Sequence, residues 1–308
     1  MVVAGSYNLD MITEVDELPK PGETVIGSNV TYSHGGKGAN QILAANLFFQ
    51  GVEEVVQELT FIGAIGMDDR GHRLKTHFSD CGICPDYIQQ KPDVNTGMAQ
   101  ILVDKHGENS IVVSPEANYR LTPEDVEESL YALKKVDLLL IQFEIPMETA
   151  VRSIECMKDQ EGLVVVNPAP AFPIDPHLYP VIDFLTPNLN ELSILTGVSH
   201  FTSKEDIKTA ALKLIHKGVK NVIVTMGSDG VLYANKDSSS HFEAPRVKAV
   251  DTSGAGDCFN GVFCASLVKG NSIDESIKDG MLYAGLSVTR KGTSISYPDH
   301  HDVCAFLR

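Results

Sequence analysis

Apolar runs of strand length alternate with amphipathic segments of helical length along most of the chain. Six runs rich in Val, Ile and Leu lack alternating polar positions, which is typical of strands buried on both faces of a parallel sheet. They cover residues 2–7, 60–65, 138–143, 163–167, 182–186 and 221–226. The segments between them carry apolar stripes that suit helices packed on a sheet. This order predicts a doubly wound α/β fold with a mostly parallel sheet and helices on both faces.

Capping residues mark the ends of the clearest helices. Ser203 and Gly218 are placed to begin and end one helix, and Thr122 is placed to cap another that has Pro123 in its first turn. The apolar periodicity predicts two more helices, over residues 41–49 and 255–269.

Two segments, residues 10–34 and 96–114, show alternating strand patterns with no helix between them. The sequence Lys-His-Gly-Glu-Asn at residues 105–109 predicts a hairpin turn between strands at 98–104 and 110–114. Because both segments depart from the strand-then-helix order, we expect them to leave the main sheet and form a small β-sheet lid. The polar residues 237–240 are predicted to be a surface turn.

Composition excludes several classes of protein. The chain has 308 residues, 43% of them hydrophobic, and 25 basic against 41 acidic residues give a net charge of −16. The acidic balance argues against nucleic-acid binding, which needs a basic surface. No apolar run reaches the ~18 residues of a membrane-spanning helix, and the N-terminus does not resemble a signal peptide. We therefore expect a cytoplasmic protein with no nucleic-acid or membrane partner.

The six cysteines are few and irregularly spaced, which is typical of a reduced, cytosolic protein. Cys81 and Cys84 form a single C-x-x-C, but no further zinc ligands follow at suitable spacing. We expect ordinary thiols there, and ordinary packing for Cys258.

Polar residues follow most of the predicted strands. Because ligands bind at the carboxyl ends of strands in open α/β sheets, we expect these residues to converge on one crevice. Each of them could separately be a turn or cap residue, but their repetition favours a site. The residues are Asn8, Asp10, Glu144, Asn167, Asn188, Glu191, Thr225 and Gly227.

The strongest local signal is the segment from Asp251 to Asp257, with Gly254, Ala255 and Gly256 between them. Small residues at the start of a predicted helix allow its free N–H groups to bind an anion. A carboxylate at that point, Asp257, can act as a base toward a hydroxyl next to a phosphate. A purely structural role, in which the carboxylate complements the helix dipole, is the alternative.

A second glycine cluster precedes the helix predicted at 41–49. It consists of Gly35, Gly36, Lys37, Gly38, Ala39 and Asn40. It is neither a Walker A loop, since no Gly-Lys-Ser or Gly-Lys-Thr occurs, nor a G-x-G-x-x-G dinucleotide fingerprint.

Taken together, these segments resemble the ribokinase-like (PfkB) sugar kinase family over essentially the whole chain, as one kinase domain of residues 1–308. The two family signatures, one early and one late in the chain, occur in order at the expected separation. The matching segments are residues 5–10, 35–41, Glu144, 167–170, 186–188 with Glu191, 225–230, 251–257 and 288–292.

The resemblance implies roles at the sugar end of the site. The sugar hydroxyls would be held by Asn8, Asp10, Gly36, Lys37, Gly38, Ala39, Asn40 and Glu144. Asp257 would be the catalytic base, with the amides of Gly254, Ala255 and Gly256 as the anion hole. The reaction implied is ATP-dependent phosphorylation of D-ribose at its 5-hydroxyl, and the partners implied are ribose, ATP and a second copy of the chain that contacts the first through the lid.

The resemblance also implies the nucleotide and cation sites. Asn188 and Glu191 would order Mg²⁺ and its waters near the phosphates. The nucleotide would contact Asn188, Thr225, Met226, Gly227, Ser228, Asp229, Gly230, Gly256 and Met281, with an apolar surface for the base at Met281. A monovalent cation, K⁺ being the expected one, would bind mostly to backbone carbonyls of Asp251, Ser253, Ser287, Arg290, Gly292 and Ser296. Residues 48–59 look like a surface extension relative to the family.

Two alternatives remain open at this stage. The same chemistry could act on fructose, deoxyribose or a nucleoside such as adenosine. A catalytically silent sugar or nucleotide sensor would share the fold, but it would have no need of a base at Asp257.

Overall fold

The computed structural model describes residues 1–50 and 58–307, so most of the extension predicted at 48–59 lies outside the described residues. A nine-stranded sheet forms the centre, in the order β13-β12-β11-β10-β9-β8-β1-β4-β5. The strands from β5 to β11 in that order run parallel, whereas β12 pairs antiparallel with β11 and β13 pairs antiparallel with β12. Their bounds are β1 Val2–Ala4, β4 Thr60–Gly66, β5 Ile88–Lys91, β8 Leu138–Ile141, β9 Leu163–Val166, β10 Phe184–Leu185, β11 Asn221–Thr225, β12 Val231–Asn235 and β13 Ser239–Phe242.

Helices cover both faces of this sheet. They are α1 Lys37–Gln50, α2 Asp69–Asp80, α3 Pro123–Ala132, α4 Met147–Cys156, α5 Leu189–Thr196, α6 Lys204–His216, α7 Ala255–Lys269, α8 Ile273–Ser287 and α9 His300–Phe306. Two buried apolar clusters result, one containing side chains of α3, α4 and α6 and the other containing side chains of α1, α7 and α8. The doubly wound fold class predicted from the sequence is confirmed.

Four further strands form a separate sheet in the order β3-β2-β6-β7: β2 Asn8–Val15, β3 Gly27–Gly35, β6 Met98–Val103 and β7 Asn109–Ser114. The predicted hairpin is confirmed, since β6 and β7 pair antiparallel from Met98 opposite Ser114 to Val103 opposite Asn109. Asp104 closes its turn by accepting the N–H groups of His106 and Glu108. This second sheet is called the small sheet below.

Local capping chemistry sets the predicted helix starts. Thr122 Oγ1 accepts the Asp125 N–H, and Ser203 Oγ accepts the Asp206 N–H, each in a reciprocal capping box. The helix predicted over 255–269 begins and ends as predicted, whereas the one predicted over 41–49 begins four residues earlier, at Lys37.

Several of the strand bounds predicted from the sequence were wrong. The first predicted strand ends at Ala4 rather than residue 7, because the chain then crosses to the small sheet. The strand predicted over 182–186 contains only Phe184 and Leu185. Part of the predicted surface turn at 237–240 is strand, since β13 begins at Ser239 and pairs with β12. Pairing between distant strands decides these ends, and a single apolar run does not report it.

Candidate active site

Polar side chains from distant parts of the chain meet at the carboxyl edge of the parallel sheet. Ser6 Oγ donates to Glu144 Oε2 at 2.6 Å, and the Lys37 N–H donates to the same oxygen at 3.1 Å. Asn40 Nδ2 donates to Asp257 Oδ2 at 3.2 Å, although the two residues lie 217 positions apart. The early glycine cluster, the end of β8 and the start of α7 therefore border one crevice.

The acid groups in this crevice are crowded and largely buried. Burial, and then the carboxylates of Glu144 and Asp257, raise the pKa of Asp10 to about 7 from 3.8. Gly35 packs directly on the Asp10 carboxylate, because a Cβ there would overlap its oxygens. When ionised, these carboxylates only accept hydrogen bonds, so the hydroxyl donors of a polyol suit their oxygens.

Lys37 supplies the positive charge of this region. The negative charge of Asp257 raises the pKa of the Lys37 ammonium group. Glu144 and Glu191 also raise this pKa, whereas burial lowers it. A cation held among these three carboxylates is suited to neutralise part of a transferring phosphoryl group.

The turn that begins α7 is held by Tyr297 from another segment and by contacts within the turn and the helix itself. Gly254 has a φ of 73°, a left-handed conformation that favours glycine. Tyr297 Oη donates to the Gly254 carbonyl at 3.0 Å, and Asn260 Nδ2 donates to the Gly256 carbonyl at 2.8 Å. The Ala255 N–H donates to the Thr252 carbonyl. Among the described residues, the N–H groups of Gly254 and Gly256 have no backbone acceptor, so they remain available to an anion.

Asn188 and Glu191 form the capping box of α5. Glu191 accepts the Asn188 N–H at 2.8 Å and the Asn188 Nδ2 at 2.9 Å, and Asn188 Oδ1 accepts the Glu191 N–H. Burial raises the pKa of Glu191, against the opposing effect of its hydrogen bond from Asn188. Both residues lie beside Thr225, which pairs with Asn188 in a parallel bridge.

A cavity of about 710 Å³ lies next to the α7 turn. Of the residues expected to contact a nucleotide, Thr225, Gly227, Ser228, Gly230, Gly256 and Met281 line it. Three others of that set do not line it. Asn188 caps α5, Met226 belongs to the apolar core, and Asp229 lies at the exposed end of its turn, where its carbonyl accepts from His241. The segment before Asp251 also contributes to the wall, through Ala244, Pro245, Arg246, Val247 and Ala249.

The residues expected to bind a monovalent cation lie on two segments, 251–253 and 287–296, which one carboxylate joins. Asp251 Oδ1 accepts the Ser253 N–H and Asp251 Oδ2 accepts the Gly292 N–H, both at 2.9 Å. The side chains of three of the set are used elsewhere: Ser287 Oγ donates to the Ala284 carbonyl, Ser296 Oγ to the Thr293 carbonyl, and the Arg290 guanidinium to Asp302.

Cys258 is fully buried, and burial raises the pKa of its thiol. Cys81 and Cys84 are free thiols, whose pKa is also raised by burial. Within the described residues, no helix is both long and apolar enough to span a membrane.

The sequence matches the pfkB family carbohydrate kinase description over residues 1–300. The chain belongs to the pfkB family of carbohydrate kinases. It is thus a phosphotransferase that acts on a sugar hydroxyl, and such a transfer requires an acceptor site, an anion site and a donor site.

Members of the family with known activities resemble the chain along its whole length. A deoxyribokinase of Salmonella typhi is 38% identical over 299 residues, covering 97% of this chain and 95% of the relative. A ribokinase of Haemophilus influenzae is 37% identical over 307 residues, covering 100% and 98%.

Solved structures of the family agree with the fold. The ribokinase of Thermotoga maritima superposes with a TM-score of 0.87 at 38% identity, with 99% of this chain and 98% of that chain covered. The Arabidopsis thaliana ribokinase, complexed with ribose and ATP, superposes with a TM-score of 0.87 at 31% identity, with 100% and 98% covered.

Sequence reasoning missed three buried amides of this family member. Asn118 contacts Asn8, and Gln41 contacts Asp257, while Gln142 contacts Gln41. Gln41 directly follows the predicted site residue Asn40, and Gln142 lies two positions before Glu144, so their position in the sequence was a signal. Asn118 had no such neighbour, since it lies in a short 3₁₀ turn, Glu116–Arg120, after the small sheet.

Proposed function

We propose that this chain phosphorylates D-ribose at its 5-hydroxyl with ATP as the donor. The observation that carries the proposal is the placement of the α7 turn: Gly256 lines the large cavity, while the next residue, Asp257, contacts Asn40 in the sugar crevice. A carboxylate at this boundary can reach both the acceptor hydroxyl and the phosphoryl group. The ribokinases among its relatives support ribose as the acceptor.

In the proposed reaction Asp257 removes the proton of the 5-hydroxyl as that oxygen attacks the γ-phosphorus. The bond from this phosphorus to the bridging oxygen of the β-phosphate breaks, and ADP leaves with the electron pair. Asn8, Asp10 and Glu144 orient the sugar, because hydroxyl groups left unpaired in a buried site would cost about 1–3 kcal/mol each. The free N–H groups of Gly254 and Gly256, together with the Lys37 ammonium, stabilise the charge that develops on the phosphoryl oxygens. Use of ATP also favours a cytoplasmic site of action.

The residues near the phosphates suit Mg²⁺ bound together with ATP. Asn188 and Glu191 offer an amide and a carboxylate oxygen, the hard donors that this ion takes directly or through water. Mg²⁺ bound there would neutralise phosphate charge. Asn188 and Glu191 hold each other in a fixed geometry through the α5 capping box, so this donor pair needs little reorganisation.

A monovalent cation also fits the chain. Among the described residues, the carbonyl oxygens of Asp251, Ser253, Arg290 and Gly292 accept no backbone hydrogen bond, and Asp251 ties their two loops together. Carbonyl oxygens that accept no backbone hydrogen bond suit K⁺, which would add positive charge next to the anion-binding turn. Assays with and without potassium test this part of the proposal.

We also propose that the small sheet, over residues 8–35 and 98–114, closes over the sugar and mediates a homodimer. It carries Asn8 and Asp10 on β2, and large apolar side chains are exposed on it, including Tyr32, Ile111 and Val112. In the part of the chain that the structure describes, β3 and β7 are the edges of the small sheet, and such edges with exposed apolar residues favour pairing with a second copy.

A deoxyribose kinase is the second candidate, because the Salmonella typhi deoxyribokinase is as similar to this chain as the ribokinases are. The two sugars differ only in the 2-hydroxyl. ADP release measured with ribose, deoxyribose, fructose and adenosine at equal concentration separates these functions, and a higher kcat/KM for any other acceptor than for ribose would reject the ribose assignment.

Replacement of the base provides the second arm of the test. Asp257→Asn should lower kcat by several orders of magnitude while ribose still binds in calorimetry. Turnover close to that of the wild type would exclude Asp257 as the base. Binding of ribose and ATP by the wild type without any ADP release would instead indicate a silent sensor.

A further inference from the structure

A set of buried amide side chains lies directly behind Asp257, on the side of α1. Gln41 on this helix is completely buried. It donates from Nε2 to Asp257 Oδ1 at 2.9 Å and to Asn167 Oδ1 at 3.1 Å. Its own oxygen, Oε1, accepts from Gln142 Nε2 at 2.5 Å. Both N–H donors of the Gln41 amide and one acceptor position of its oxygen are therefore occupied.

The Asp257 carboxylate fixes the direction of each hydrogen bond in this set. A carboxylate only accepts, so Gln41 must present its nitrogen to Asp257 and its oxygen to Gln142. Gln142 must then donate, which leaves its Oε1 buried against Gly5 with no partner in the described structure. The direction of the Gln142 hydrogen bond is therefore set by Gln41 and, through Gln41, by the Asp257 carboxylate.

The hydrogen bonds continue from Asn167 and return to the α7 turn. Asn167 Nδ2 donates to the Thr186 carbonyl at 3.1 Å, and Thr186 Oγ1 donates to Asn260 Oδ1 at 2.6 Å. Asn260 Nδ2 then donates to the carbonyl of Gly256, the residue before Asp257. A closed ring thus connects the carboxylate, the ends of β9 and β10, and the anion-binding turn.

We propose that Gln41 is a positioning residue for phosphoryl transfer. Its amide holds the Asp257 carboxylate in one rotamer. The ring of hydrogen bonds through Asn167, Thr186 and Asn260 keeps that carboxylate in a fixed position relative to the N–H groups of the α7 turn. With Oδ1 bound to Gln41 and Oδ2 to Asn40, the carboxylate cannot rotate away from the crevice without losing both donors. This inference rests on the proposed role of Asp257 as the base.

Two variants of Gln41 separate the donor from the shape of the side chain. Gln41→Leu removes the amide at similar volume, and Gln41→Glu keeps the shape but cannot donate to a carboxylate when ionised. Both should lower kcat roughly 10- to 100-fold, the loss expected when a reacting group is misplaced by about 1 Å. The dissociation constant of the sugar, measured by calorimetry, should stay within about threefold of the wild type, because Asn8, Asp10 and Glu144 are unchanged.

Thr149→Val is the matched control for the loss of a buried hydrogen bond. Thr149 Oγ1 donates to the Leu121 carbonyl at 2.7 Å, on α4 in the other apolar cluster of the fold. This variant should lose a comparable part of its thermal stability and keep the wild-type kcat. A crystal structure of Gln41→Leu should show Asp257 in a different rotamer.

Gln142 reaches Asp257 through Gln41, so the effects of replacing the two residues on kcat should not be additive. The variant with both Gln41→Leu and Gln142→Leu should have the kcat of Gln41→Leu alone. The proposal would be overturned by additive losses of kcat in the double variant, or by a kcat of Gln41→Leu within threefold of the wild type. A loss of sugar affinity as large as the loss of kcat would also overturn it. Rates are compared on whichever acceptor the wild type phosphorylates fastest, so that failure on ribose would reject the proposed substrate and leave the Gln41 comparison intact.

Discussion

Asn118 Nδ2 donates to Asn8 Oδ1 at 2.9 Å, and the same side chain pairs with both backbone polar groups of Tyr7. Asn118 is buried in the 3₁₀ turn that follows the small sheet, and Asn8 begins the first strand of that sheet. The Asn118 amide therefore holds the point at which the chain passes from the main sheet to the small sheet. It also orients the side chain of Asn8, which is proposed to bind the sugar.

Asn118→Asp should weaken sugar binding selectively. The new carboxylate can still accept the Tyr7 N–H but cannot donate to Asn8 Oδ1, so the Asn8 amide loses the contact that orients it. We expect the KM for the sugar to rise about tenfold, equivalent to about 1.4 kcal/mol, with the KM for ATP unchanged. Steady-state kinetics with each substrate varied measures this. Asn95→Asp, an exposed site on the same approach to the small sheet, should match the wild type; equal effects on both KM values would contradict the interpretation.

The pKa of Asp10, about 7 in the folded chain against 3.8 as its ordinary value, predicts a pH-dependent stability. Between those values the folded state keeps a proton that the unfolded state releases, so the contribution of Asp10 to stability falls as the pH rises from about 4 to about 7. Asp10→Asn removes this penalty. Its thermal midpoint should therefore exceed that of the wild type by more at pH 8 than at pH 5.

Sugar affinity should show the opposite effect at the same residue. The ionised Asp10 accepts hydroxyl donors best, so wild-type affinity for the sugar should rise through pH 7, and Asp10→Asn should lose both the affinity and its pH dependence. Asp16→Asn, an exposed acid just after the same strand, is the control. A stability difference between wild type and Asp10→Asn that is constant from pH 5 to pH 8 would disprove the assignment.

Glu116 has a φ of 48°, in the left-handed region that most residues avoid. A non-glycine residue there costs on the order of 1–3 kcal/mol, partly offset by the greater freedom of glycine in the unfolded chain. Glu116→Gly should therefore raise the free energy of unfolding by about 1 kcal/mol in urea titrations. Glu128→Gly, within α3, should lower it by about the same amount. Destabilisation by both variants would show that contacts of the Glu116 side chain outweigh its backbone strain.

The proposed dimer can be tested on both faces of the small sheet at once. Ile111 and Val112 are adjacent on β7, so their side chains point to opposite faces, and both are at least half exposed. Sedimentation velocity should show a dimer for the wild type and a monomer for Ile111→Lys/Val112→Lys, because buried unpaired charge opposes association. Tyr131→Lys, an equally exposed apolar position on α3, should remain dimeric. A monomeric wild type at micromolar concentration would refute the dimer.

The sequence alone determined the fold class, because period and length are local properties. Unbroken apolar runs marked most parallel strands, and caps such as Thr122 and Ser203 marked helix starts, since each acts within four residues. The glycine turn before Asp257 was predictable for the same reason. Edge strands such as β5 and β13 were not, because their short, mixed sequences become strands only by pairing with a neighbour.

The tertiary structure alone decided which amide faces which acid. Gln41 and Asp257 are 216 positions apart, and they meet because Gly261 allows α7 to pack closely on α1 at the Gln41 carbonyl. Asn118 reaches Asn8 across 110 positions in the same way. Polarity and propensity act over a few residues, whereas hydrogen-bond geometry at the site depends on the packing of distant helices, which no short stretch of sequence encodes.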